Sequence, residues 1–239
     1  MQEIRKIIKK INGWLSDKEG ELLYTLAKNC KGRGVIVEIG SWKGKSTIWL
    51  GKGSKAGNRI KIYAIDPHTG SPELKKMYGK IRSFEEFKDN IKNMEVDDIV
   101  VPIIKTSEAA AKNFDEPVEL IFIDGSHEYE IVKLDFELWF PKLINGGIMA
   151  FHDTNIPDNG PRKVIEESVY KSKKFRNIRY LDSVTFAEKA KKNSMNGLRN
   201  RYAILLRKLY ELGSRLHLPK PVKIIGKKII KLIYNNCRF

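Results

Sequence analysis

The sequence predicts a doubly wound α/β domain, a mostly parallel sheet with helices on both faces. Three observations carry that reading. Short β-branched and aliphatic runs recur along residues 35–151, segments of helical spacing separate them, and acidic or polar residues stand where the runs end. Sheets of this kind bind ligands beyond the carboxyl ends of their strands, so the residues at those ends are the candidates for chemistry.

Trp14 and Leu15 precede Ser16-Asp17-Lys18-Glu19, a capping-box pattern. Leu22, Leu23, Leu26 and Ala27 then repeat at helical spacing, which predicts a helix over 17–29. Val35-Ile36-Val37-Glu38-Ile39 is a strand running into glycine, and Ser46-Thr47-Ile48-Trp49-Leu50 lies in the helix that follows. Residues 60–65 form a second strand ending at Asp66-Pro67, and 99–104 a third, with a helix over 84–94 between them. A fourth strand, 118–123, ends at Asp124 and leads into a helix over 129–140. Gly146-Gly147 launches a fifth, 148–151, ending at His152-Asp153. A helix over 161–171 and one or two strands within 178–188 complete a domain expected to occupy residues 1–190.

Residues 191–239 read as a separate basic tail. They hold thirteen Lys/Arg against one acid, Glu211, so most of the net charge of +16 lies there and the domain itself is nearly balanced. Val222, Ile225, Ile229, Leu232 and Ile233 share one helical face, with Lys223, Lys227 and Lys231 on another. Such an amphipathic helix suits an anionic membrane surface, or a second subunit for its apolar side. Nucleic acid is disfavoured because stacking aromatics are sparse in the tail. Two cysteines, no Cys/His zinc spacing and no long uncharged apolar run lead us to expect a cytoplasmic protein, peripheral at the inner membrane face if the tail binds lipid.

Gly40 and Gly44 let the backbone turn sharply after a buried strand and bring its N–H groups to a ligand. A phosphate-binding Walker A loop needs one more residue between its glycines, and a dinucleotide fingerprint needs glycine where Trp42 and Lys45 stand. The remaining pattern, Glu38-x-Gly40-x-x-x-Gly44, resembles motif I of the class I S-adenosylmethionine-dependent methyltransferases, which have a Rossmann-like fold. The resemblance implies cofactor contacts at Glu38, Gly40, Ser41, Gly44 and Ser46, a ribose-binding acid at Asp66, and Thr106 or Ser107 near the adenine. The same glycines could also serve an ordinary strand-to-helix turn, and Asp66 a turn before Pro67.

Asp124-Gly125-Ser126-His127 and His152-Asp153 stand at neighbouring strand ends, where two carboxylates converge on the same face; oxygen ligands of this kind suit Mg²⁺ or Mn²⁺. Here the resemblance narrows, over residues 12–155, to the metal-assisted O-methyltransferases that include the macrocin-type sugar enzymes. It implies a divalent metal on Asp124 and Asp153, with Asp124 also lining the cofactor pocket and His127 as catalytic base. That group carries two consecutive acids where this chain has His152-Asp153, so His152 joins the ligand candidates as a departure. The expected reaction is methylation of a hydroxyl on a sugar, glycan or related small molecule. The competing readings are RNA methylation using the tail, a non-catalytic cofactor-binding scaffold at a membrane, and, more remotely, a nucleoside triphosphatase suggested by Leu120-Ile121-Phe122-Ile123-Asp124.

Overall fold

The computed structural model describes residues 2–70, 75, 76, 79, 81–191, 200 and 205. It contains a seven-stranded sheet of order β3-β2-β1-β4-β5-β7-β6. The strands are β1 (Val35–Ile39), β2 (Ile62–Ile65), β3 (Val100–Ile103), β4 (Val118–Ile123), β5 (Leu143–Phe151), β6 (Phe175–Leu181) and β7 (Val184–Lys189). The helices are α1 (Gln2–Ile8), α2 (Asp17–Lys28), α3 (Lys45–Lys55), α4 (Phe84–Asn93), α5 (Ser107–Ala111), α6 (Tyr129–Trp139) and α7 (Gly160–Val164), the last continuing as a π-helical segment, Ile165–Tyr170.

Strands β1 to β5 pair in parallel, whereas β7 runs antiparallel to both β5 and β6. The expected doubly wound architecture is borne out. Every residue of β1 and β4 is buried, because helices cover both faces and leave no solvated side for an alternating pattern. One apolar layer joins Leu23, Ile36, Ile48, Trp49 and Phe87 beneath α2, α3 and α4. The opposite layer joins Val37, Ile121, Trp139, Met149 and Phe151.

The register builds the site. Ile39 pairs with Ile65 and with Ile123, and Ile123 pairs with Phe151. The next residue on each strand is therefore Gly40, Asp66, Asp124 or His152, and the four stand in one row across the carboxyl edge.

Several boundaries differ from expectation for local reasons. β5 begins at Leu143 rather than 148, because Leu143 already pairs with Val118 and an irregularity in the β4 pairing absorbs Gly146-Gly147. The 161–171 helix loosens into the π-helical segment. The 178–188 region becomes a hairpin of two strands, and α1 and α5 carried too little periodicity to be read. The amphipathic tail lies outside the described residues apart from Lys191, Asn200 and Leu205. Asn200 is buried and its amide donates to the carbonyls of Ser172 and Phe175, both at 2.9 Å. Among the described residues no helix is long and apolar enough to cross a membrane.

Candidate active site

β1 ends in a turn that only glycine can make here. Gly40 has φ +87°, and a Cβ on it would lie 2.3 Å from the Asp124 carbonyl oxygen, so β1 leaves the sheet pressed against the end of β4. Gly44, also at φ +87°, is the N-cap of α3 and would meet only the side chains of Phe87 and Ile91. Between them, Trp42 takes a left-handed φ of 46°. Asp66 stabilises this turn: its Oδ2 accepts the Trp42 N–H at 2.8 Å and its Oδ1 accepts the His68 N–H at 2.6 Å.

Glu38 lies wholly beneath the loop, with no exposed surface. Burial drives its pKa up to about 8, and the hydroxyls of Ser46 and Thr47 only partly offset this. Thr47 Oγ1 donates to Glu38 Oε2 at 2.5 Å, which joins the first turn of α3 to β1. Thr106 caps α5, accepting the Ala109 N–H at 3.3 Å, and Ser107 Oγ accepts the Trp139 indole N–H at 2.7 Å.

Ser41 Oγ, Trp42 Nε1 and His68 Nε2 are buried and have no hydrogen-bond partner. Most buried polar atoms in folded proteins are paired, so these three, with Glu38 Oε1 beneath the same loop, leave unused bonding capacity around Gly40–Gly44. His68 was not read as a site residue. Its ring packs against Phe84 and Phe87, its Nδ1 lies 2.9 Å from Ser83 Oγ, and burial lowers its pKa despite the nearby Asp66. The sequence signal available was its position two residues past a strand-end acid.

At the neighbouring strand ends the acids and imidazoles do converge. His152 Nδ1 lies 3.1 Å from Asp124 Oδ1 and 3.0 Å from Asp153 Oδ2, and His127 Nε2 lies 2.8 Å from the same Asp153 oxygen. His152 is 3% exposed, while the His127 side chain is 44% exposed at the mouth. Burial alone would lower the His152 pKa, but Asp124, Asp153 and Glu19 outweigh it and push it up to about 12. Burial raises Asp153 too, yet hydrogen bonds from His127 and His152 hold it well below the usual carboxylate range. Asp124 is raised, because its burial exceeds the attraction of His152 and Asp153 repels it.

Asp124, His152 and Asp153 offer donor atoms within 4.8 Å of one another. Adjacent donors on a six-coordinate divalent ion with bonds of roughly 2.1 Å sit about 3 Å apart, so the two spacings from His152 Nδ1 fit such an ion. Ligation requires the imidazole to give up its proton, which couples metal affinity to pH. Sequence reasoning missed Glu19, the acid behind His152. It sits in the capping box and is 3% exposed. Its Oε1 accepts the Ser183 N–H at 2.8 Å and the Ser183 hydroxyl at 2.6 Å, and its Oε2 accepts the Ser16 N–H at 2.9 Å.

Residues 37–154, the span that holds this strand-end row, match the family model described as a methyltransferase domain. Just under half of the chain thus matches a methyltransferase domain. The resemblance carried by Glu38, Gly40 and Gly44 is thus borne out for the methyltransferase domain. Over 46 residues the chain is 46% identical to the uncharacterized protein y4gI of Sinorhizobium fredii, covering 19% of this chain and 5% of that protein. Over 117 residues it is 29% identical to the uncharacterized protein R132 of Acanthamoeba polyphaga mimivirus, covering 49% of this chain and 50% of that one. The chain therefore spans half or less of the length of these two relatives. Among solved structures it shares its fold with the O-methyltransferase TomG from Streptomyces achromogenes, solved in complex with SAM. The TM-score is 0.56 at 16% identity, covering 79% of this chain and 87% of that one.

Proposed function

We propose that this methyltransferase transfers the methyl group of S-adenosylmethionine to a hydroxyl of a sugar, glycan or related small molecule, assisted by a divalent metal. The observation that carries the reading is the row of Gly40, Asp66, Asp124 and His152, bordered by the orphaned Ser41, Trp42 and His68 atoms. The glycine turn opens space for the methionine portion beside Ser41 and Gly44. Asp66 keeps acceptor capacity on both oxygens for the ribose hydroxyls while it holds the loop. Glu38 and Ser46 support the loop from beneath, and Thr106 and Ser107 border the adenine end.

Bound between Asp124, His152 and Asp153, a Mg²⁺ or Mn²⁺ ion would supply Lewis acidity towards the acceptor hydroxyl. Asp153 orients His127 through Nε2 at 2.8 Å, and the neutral imidazole is the base for the hydroxyl proton. His127 stands at the exposed mouth, where an acceptor arrives, and His152 stays buried behind it. Calorimetric titration with S-adenosylmethionine, followed by a labelled-methyl screen of hydroxylated acceptors with and without EDTA, tests the reading. No cofactor binding would remove the enzyme assignment, and transfer undiminished by EDTA would remove the metal.

A further inference from the structure

A cleft of about 560 Å³ lies beside the strand-end row, between the Gly40–Gly44 loop, the segment preceding α2 and the start of α4. That size falls within the roughly 300–1,000 Å³ of small-molecule sites. Its walls are tied together. Lys45 Nζ donates to the Gly13 carbonyl at 2.9 Å, the Asn90 amide to the Lys43 carbonyl at 2.9 Å, and Lys43 pairs with Glu86 at 2.8 Å. A cleft held in this way is organised before a ligand arrives, which reduces the entropy lost on binding.

The lining is amphipathic, with Trp42 and Ile81 beside the Asn12 amide and the Arg82 guanidinium. Trp14, 58% exposed, leans on Trp42 with ring centroids 6.3 Å apart and a tilt of 40°. An indole held in place beside polar groups offers the flat apolar surface on which the C–H face of a sugar ring rests, while the sugar hydroxyls reach amide and charged partners. Charge narrows the choice further. Glu86, the acid in the lining, is taken by Lys43, whereas Arg82 is exposed and has no ion pair or hydrogen bond among the described residues. A planar guanidinium left over in this setting matches the paired oxygens of a phosphate or carboxylate.

Resting on the function proposed above, we infer that this cleft receives the methyl acceptor and that the acceptor is an anionic sugar: Trp42, braced by Trp14, takes the ring and Arg82 takes a phosphate or carboxylate. Trp42 belongs to both the cleft and the cofactor loop, so an occupant lies next to the methyl donor.

The test titrates the full chain, saturated with S-adenosylhomocysteine, against glucose, glucose 1-phosphate, glucuronic acid and inorganic phosphate, read by tryptophan emission and calorimetry. One of the two charged sugars should bind at least tenfold more tightly than glucose and than inorganic phosphate. A phosphate preference identifies glycosyl phosphates, and a carboxylate preference identifies uronic acids. Arg82→Gln should erase the tenfold preference, and Trp14→Ala should weaken the charged sugar about tenfold, with S-adenosylhomocysteine affinity unchanged in both. Equal affinity for charged and neutral sugars, no binding of any sugar, or loss of S-adenosylhomocysteine binding in Arg82→Gln overturns the inference, the last by giving the cleft to the cofactor. If wild-type chain fails to bind S-adenosylhomocysteine, the methyltransferase reading falls instead, and the same sugar titrations without it still decide the cleft.

Discussion

Glu19 on α2 and His152 at the end of β5 face each other inside the protein, with Glu19 Oε2 3.6 Å from His152 Nε2, an ion-pair rather than a hydrogen-bond distance. Both are nearly inaccessible to solvent. Burial raises the Glu19 pKa, but His152, Ser183 and Ser16 more than reverse this and hold it at about 2. A depressed carboxylate contributes stability that is present above its unfolded value near 4.5 and is lost as pH falls towards 2. Its contribution is on the order of 3 kcal/mol. Urea denaturation of Glu19→Ala at pH 7 should show a loss of about 3–5 kcal/mol, because a buried imidazolium loses a counter-charge and the Ser16 N–H, Ser183 N–H and Ser183 hydroxyl lose their acceptor. A loss below about 1 kcal/mol would show that the pair is not coupled.

Glu38 gives the opposite pH dependence. Its folded pKa is raised, so its contribution is greatest when protonated and declines as pH rises from about 4.5 through about 8. Glu38→Gln imitates the protonated form. Thermal melts from pH 6 to 9 should show wild type losing stability across this window and Glu38→Gln nearly flat; parallel curves would refute the assignment.

His127→Ala should lower kcat by about 10²- to 10⁴-fold, the usual contribution of a general base, while cofactor affinity measured by calorimetry stays within about twofold. Retained turnover would move the base elsewhere.

Metal binding should release a proton, since His152 must lose one to ligate. Mn²⁺ titrations in buffers of different ionisation enthalpy should report close to one proton released, and affinity should rise with pH. Asp153→Asn should abolish binding; heats unchanged by that substitution would place the ion elsewhere.

Gly40→Ala should abolish cofactor binding and destabilise the chain by more than about 3 kcal/mol, because its Cβ meets backbone of β4. Gly44→Ala, at the same φ, meets only side chains that can shift and should cost about 1–2 kcal/mol. Equal effects would argue against the close approach of β1 to β4.

The carboxyl-edge row was legible in sequence because buried parallel strands announce themselves as apolar runs, and Gly40, Asp66, Asp124 and His152 each follow one directly. Helix α2 was equally plain from its capping box. What stayed hidden depends on contacts between segments distant in sequence. The capping box explains Glu19 without reference to Ser183 or His152, and nothing local marks His68 Nε2 as orphaned. His152 read as a substituted ligand, and only three surrounding carboxylates reveal the charge it carries.

The Ser183 turn between β6 and β7 binds Glu19 and also accepts the Thr154 N–H and hydroxyl at 2.9 and 2.8 Å. During biosynthesis the ribosome delivers the whole catalytic edge before this hairpin emerges. The contacts that tie Glu19 on α2 and Thr154 beyond β5 to one turn are thus the last that synthesis supplies to the sheet.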